Sequence, residues 1–182
     1  MRYLRSLFAV IALAATAACS TPAPIYQPSV DNVLTLKRSG TATVRTGEFT
    51  STADNRPSLR ASSMVSPYND SYGEYLRTAL RLELTEAGRF SEQAAIEVGG
   101  VLVKNDIDAN GFKTGIGQIS ARITVKRDGA LRYDKEVSAT HEWPSSFPGM
   151  IAIPAARDNY LPLVQKLLKQ LYADPEFIAA IK

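Results

Sequence analysis

The stretch Gln118-Ile119-Ser120-Ala121-Arg122-Ile123-Thr124-Val125-Lys126 decides the fold class. Ile119, Ala121, Ile123 and Val125 alternate with Ser120, Arg122, Thr124 and Lys126, the period of two that a strand with one buried face produces. Asp128-Gly129 follows, a dipeptide that favours a two-residue hairpin turn. Beyond it the pattern resumes, with Leu131, Tyr133, Val137 and Ala139 expected inward and Arg132, Asp134, Glu136 and Ser138 outward. An antiparallel sheet with one face on a core and one toward water is expected.

Working upstream, Ile96-Glu97-Val98 and Val101-Leu102-Val103 read as strand on either side of Gly99-Gly100, where a bulge or a close backbone approach is expected. Tyr72, Tyr75, Leu76, Ala79, Leu80, Leu84 and Ala87 fall at helical spacing on one side of a segment from about 71 to 87. Ser71 and Glu74 have capping-box spacing at its start, and Gly88 can end it. Glu83 lies three helical turns after Tyr72, near the centre of the apolar arc. It either snorkels or pairs with a basic side chain, or it is a buried functional acid.

Closer to the amino end, residues 32–37 look like a first strand, Ser39-Gly40 like a turn and residues 41–44 like a second strand. Residues 45–66 read as a long loop or an irregular edge strand. Downstream, Leu161, Val164, Leu168, Leu171 and Tyr172 share a helical face, with Pro162 in its first turn. Asp174-Pro175 opens a final short helix through about Ile181. The expected fold is α+β: a two-layer sandwich of a mainly antiparallel sheet with helices packed on one face.

The 182 residues allow one such domain plus a leader, and 45% hydrophobic with 21% charged residues is an ordinary globular composition. Arg2 and Arg5 precede the apolar run Leu7–Ala15, which is too short to span a bilayer, and Thr16-Ala17-Ala18 places small side chains before Cys19. Without the two leader arginines, nineteen basic residues face eighteen acidic ones, so no nucleic-acid partner is expected.

Thr16-Ala17-Ala18-Cys19 resembles the lipobox of bacterial lipoprotein precursors, with Thr16 where leucine is usual. The resemblance implies a signal peptide over 1–18, acylation of Cys19 and a membrane anchor through several acyl chains. Ser20 after the cysteine implies the outer membrane, with the domain on its periplasmic face. Residues 19–31 then form the lipidated cysteine and a tether that Pro22, Pro24 and Pro28 keep extended, and 32–182 form a single periplasmic α+β domain. Cys19 is the only cysteine, so no disulfide and no thiol nucleophile are expected once it is acylated.

Little in the chain suggests catalysis. His141 is the only histidine, which rules out a multi-histidine zinc site, and it reads as a half-buried structural residue. There is no Gly-x-Ser-x-Gly elbow and no glycine-rich phosphate loop, so no cofactor is expected. Asp106-Ile107-Asp108-Ala109-Asn110-Gly111 spells the opening of a calcium loop, but Gly117 stands where its closing glutamate belongs. The segment reads as a polar turn, and no metal is expected. Trp143-Pro144-Ser145-Ser146-Phe147-Pro148-Gly149-Met150-Ile151-Ala152-Ile153-Pro154 is too apolar for a loop and too rich in proline and glycine for a regular element. It either seals the core or forms an apolar lip, with Trp143, Phe147, Met150 and Ile151 touching a partner protein or a lipid.

The lipobox, the Tyr72–Gly88 helix ending in Glu86-Ala87-Gly88-Arg89-Phe90, the antiparallel strands and Asp174-Pro175-Glu176-Phe177 together resemble the uncharacterised YajG-type lipoproteins. A looser similarity is to auxiliary lipoproteins of lipid-transport and lipopolysaccharide-assembly systems. These resemblances imply a non-enzymatic accessory module of the cell envelope that works through protein contacts. The alternative is a lipid-binding auxiliary component, with its cavity around Tyr72, Leu76 and Leu80.

Overall fold

The computed structural model describes residues 20–52, 56–60 and 62–182; the leader and Cys19 lie outside the described residues. In chain order the elements are β1 (Ser20–Pro22), α1 (Val30–Ser39), β2 (Val44–Ser51), β3 (Ser58–Leu59), β4 (Ser62–Val65) and α2 (Tyr72–Glu86). They continue with β5 (Ile96–Asp108), β6 (Thr114–Arg127), β7 (Ala130–Pro144), α3 (Gly149–Asp158), α4 (Tyr160–Ala173) and α5 (Pro175–Ala180).

The hairpin forms as its alternation requires. Asp128 at φ 51° and Gly129 at φ 79° are both left-handed, the backbone of the tight turn that matches the twist of its strands. Ile119, Ala121, Ile123, Val125 and Tyr133 are buried. Leu131 is not: it is 56% exposed. Val125 pairs with Tyr133 but Lys126 pairs with Leu131, so Arg132 is an extra residue that turns Leu131 to the outer face.

The main sheet has the order β2-β5-β6-β7, with β2 parallel to β5 and the other pairs antiparallel. β2 is an edge strand with a register shift between Thr46 and Phe49, within the stretch expected to be loop or irregular edge. Gly99 and Gly100 lie inside one continuous β5. α2 is the crossover between the parallel pair, and with α4 it covers one face of the sheet. The α+β architecture with helices packed on one face is therefore as expected.

α2 starts where Ser71 Oγ accepts from Glu74 N at 3.2 Å, and Gly88 at φ +71° follows its end. Its expected apolar face is buried throughout, down to Ala87. The helix backbone comes so close to β2 that a Cβ on Gly73 would lie 2.5 Å from the Phe49 carbonyl oxygen. Gly73→Ala therefore forces the helix off the sheet, and thermal unfolding should show a loss of about 1–3 kcal/mol. An unchanged melting temperature would mean that the two backbones are less tightly apposed. α4 buries Tyr160, Leu163, Val164, Leu167, Leu168, Leu171 and Tyr172, with Pro162 in its first turn. At α5, Asp174 Oδ1 accepts from Glu176 N at 2.8 Å, with Pro175 at the first helical position.

The amino-terminal region differs from the expectation. Residues 32–37 belong to helix α1, with Asn32 and Leu36 buried one turn apart, and not to a strand. Residues 20–31 are not a free spacer. β1 pairs in parallel with β4, which pairs with β3 to form a second sheet of order β1-β4-β3. Ala23 and Tyr26 are buried in the core. The prolines keep the chain extended, but as strand and packed coil.

Candidate functional site

Glu83 points from α2 into the core and is 0% exposed. Its Oε1 accepts from the Tyr26 hydroxyl at 2.6 Å, the Ser29 backbone N–H at 3.1 Å and Asn32 Nδ2 at 3.1 Å. Asn32 also donates to the Gln165 carbonyl at 3.0 Å, so the knot joins the amino-terminal segment, α1, α2 and α4. Among the described residues no basic side chain takes part. Burial raises the carboxyl's pKa above its ordinary value, while the hydrogen bonds from Tyr26, Ser29 and Asn32 act the other way without prevailing. All three donors converge on Oε1, and Oε2 accepts from none of them. Burial thus favours the protonated, neutral form of this carboxyl over the carboxylate. The Tyr172 hydroxyl is near enough that the carboxylate charge, after burial itself, raises its pKa. Glu83 is thus a buried acid, neither snorkelling nor ion-paired, and it is sealed from any substrate.

A second buried ionisable side chain was not singled out by the sequence reading. Arg89, 1% exposed, donates through Nε to the Ala42 carbonyl at 2.9 Å and through Nη1 to Ser39 Oγ at 2.6 Å. Nη1 also reaches the Leu36 carbonyl at 3.4 Å, and Nη2 the Ile181 carbonyl at 2.5 Å. The fork gathers the end of α1, the entry to β2 and the carboxyl-terminal tail. Its position between the helix-stop glycine and Phe90 was the only sequence signal.

Residues 143–154 divide between the two readings. Trp143 is only 4% exposed, with its indole against Gly115 and Gly117, so it belongs to the core and not to a contact surface. Phe147, Met150 and Ile151 are 64%, 84% and 54% exposed. Residues 149–158 form the regular helix α3, with Pro154 inside it, where no regular element was expected. Phe112, 71% exposed at the tip of the β5–β6 hairpin, stacks on Phe147 with centroids 5.0 Å apart and planes 7° apart. Arg60 holds this lip from behind, donating to the carbonyls of Ala109 at 3.0 Å, Phe147 at 2.6 Å and Ser146 at 3.1 Å. Phe112 and Arg60 were both missed; a phenylalanine directly after the Asn110-Gly111 turn was the available signal.

The remaining candidates are structural. His141 is half-buried, with Nε2 2.9 Å from Asn159 Oδ1. Asp108 accepts from Asn110 N at 2.8 Å, which closes the turn at the end of β5. Among the described residues, no group of three or more His, Cys, Asp or Glu comes together. Tyr72, Leu76 and Leu80 are buried, and the rings of Tyr75 and Tyr160 pack against Tyr72. A lipid held there would have to displace those rings.

No family model matches the chain, and no curated protein matches it. The fold itself is shared with solved structures. A Xanthomonas campestris protein described by the family model DUF330 is similar with TM-score 0.55 at 9% identity, over 85% of this chain and 95% of that one. A hypothetical protein from Chlamydia trachomatis is similar with TM-score 0.51 at 9% identity, over 78% of this chain and 99% of that one. A minor lipoprotein from Acinetobacter baumannii reaches 0.42 at 12% identity, over 75% and 92%, too slight a likeness to carry an argument. The class defined here is an α+β domain of the fold seen in the Xanthomonas and Chlamydia proteins.

Proposed function

We propose that this chain is the precursor of a lipoprotein anchored at Cys19 in the outer membrane, whose periplasmic domain is a non-enzymatic accessory module that docks another envelope protein. The free edge of β7 carries this reading. The strand runs fifteen residues at the border of the main sheet, with β6 on one side and, among the described residues, no strand on the other. Such an edge offers backbone donors and acceptors to an added strand. Arg132, Asp134, Lys135 and Glu136 along it are exposed and of mixed sign, which restricts the partners that fit. The burial of Glu83 supports a role without catalysis. Among the described residues no helix is long and apolar enough to cross a membrane, and an acylated Cys19 supplies the anchor in this reading.

Two measurements test it. Mass spectrometry of the mature protein should find Cys19 as the first residue and acylated; an unmodified Cys19 in an uncleaved chain overturns the anchor. A photocrosslinking side chain at Ser138 or Thr140 should give one discrete adduct in intact envelopes, and the same group at Lys37 should not. Equal labelling from all three positions, or none, removes the edge as the docking site.

A further inference from the structure

We propose that the end of the domain bearing Phe112, Phe147, Met150 and Ile151 rests in the surface of the same bilayer that receives the Cys19 acyl chains. This rests on the lipoprotein reading above and adds an orientation to it.

The argument starts where the chain enters the fold. Ser20 pairs with Ser63 in the parallel β1–β4 ladder, and Leu59 pairs with Ser62 across the connection that contains Arg60. Because β1 and β4 run the same way, Ser20 is the end of β1 that lies nearest that connection. Arg60 bonds directly to the carbonyls of Ala109, Ser146 and Phe147. One strand spacing, two or three residue steps and an arginine side chain therefore separate Ser20 from the lip, about 20 Å at most. Cys19 is a single peptide unit further.

There is also no slack. Residues 20–22 are in strand, Ala23 N donates to the Val65 carbonyl at 2.8 Å, and Tyr26 is tied to Glu83. A packed segment cannot act as a spacer, so lipid attached at residue 19 brings this end of the domain against the headgroups. Four large apolar side chains from two separate segments stand exposed at that end. Lys113 follows Phe112 directly, and the first turn of α3 carries no acidic residue to repel anionic headgroups. An apolar cluster beside a lipid anchor adds its own buried apolar surface to the binding that the acyl chains supply. A protein on the same patch would have to share the space with the bilayer.

The full acylated chain, reconstituted into phosphatidylethanolamine–phosphatidylglycerol vesicles with brominated acyl chains, provides the test. Wild type is the baseline, since its one tryptophan, Trp143, is buried. F112W should shift to the blue and lose about half its added emission or more, as expected of a ring at the acyl boundary. L131W, exposed at the opposite end of β7 about 40 Å away, should stay at baseline. M150E/I151E, on two exposed positions, should reduce the F112W quenching at least about twofold. Unquenched F112W in a protein whose Cys19 is acylated overturns this orientation and leaves the lipoprotein reading standing. Quenching of L131W instead of F112W overturns it by showing the domain inverted. Shielding of F112W from iodide in native envelopes, without quenching in vesicles, assigns the patch to a protein and also overturns it. An unacylated Cys19 overturns both.

Discussion

Arg89→Ala should lower the free energy of unfolding by about 3–5 kcal/mol, the sum of buried carbonyl oxygens left without a donor and of the cavity that the truncation opens. The guanidinium donates to the carbonyl oxygens of Ala42, Leu36 and Ile181, of which Leu36 also accepts from Ser39 Oγ at 2.8 Å. Removing it strands the Ala42 and Ile181 acceptors away from water, at about 1–3 kcal/mol for each that finds no new partner. It also opens a space the size of the largest fully buried side chain. Burial lowers the arginine's pKa, but the group starts so high that it keeps its charge at neutral pH. Arg89→Lys should recover only part of the loss, because an ammonium cannot present the planar fork that spans three carbonyls. Urea unfolding monitored by tyrosine and tryptophan emission measures both variants. A loss below about 1 kcal/mol for Arg89→Ala would show that water replaces the fork at no great cost, so that the clamp holds nothing together.

The parts of the fold that were legible have local causes. The β6–β7 hairpin rests on a dipeptide and a period of two, and α2 on a cap, an apolar arc and a terminating glycine. Nothing distant is needed to form either. The errors have non-local causes. Leu131 faces outward because of a one-residue bulge whose only trace is the pairing itself. Residues 32–37 alternate just well enough to suggest a strand, and the contact that makes them helical, Asn32 reaching Glu83 and Gln165, lies outside any local window. Pro22, Pro24 and Pro28 keep the chain extended whether it is free or packed. Composition cannot say whether β4 waits beside it.

These errors are connected. Glu83 was correctly placed in the centre of an apolar face, but its partners were sought among basic side chains. They come instead from residues 26–32, the segment assigned to a tether and a strand. The lip was legible to the extent that its exposed residues lie in one run. Phe112 is thirty-five residues from Phe147, and only the β5–β6 tip brings the two rings together. Trp143 drew attention as an aromatic in an odd segment, yet Gly115 and Gly117 on the neighbouring strand make room for its indole inside.

Glu83 gives the other large effect, and it separates chemistry from architecture. Glu83→Ala leaves the Tyr26 hydroxyl, the Ser29 N–H and one Asn32 hydrogen without an acceptor, and it adds a cavity. About 3–5 kcal/mol should be lost, with residues 20–32 becoming susceptible to protease before the rest of the domain. Glu83→Gln keeps an oxygen where Oε1 stands, so its cost should stay near or below about 1 kcal/mol at neutral pH. The two variants also differ from wild type in pH dependence. The folded carboxyl holds its proton to higher pH than the unfolded one. Between those two values the folded chain binds more protons than the unfolded chain, so stability falls as pH rises through that window and levels off above it. The contribution of neutral Glu83 is complete below the ordinary carboxylate value and is lost as pH climbs through the raised one. Glu83→Gln, which cannot titrate, should flatten that decline in a series of urea midpoints taken from acid to neutral pH. If wild type instead gained stability across the window and Glu83→Gln abolished the gain, the carboxylate would be the form the fold prefers. The three donors on Oε1 would then outweigh burial, and the knot would be a charged site held open by hydrogen bonds in place of a neutral one closed by desolvation.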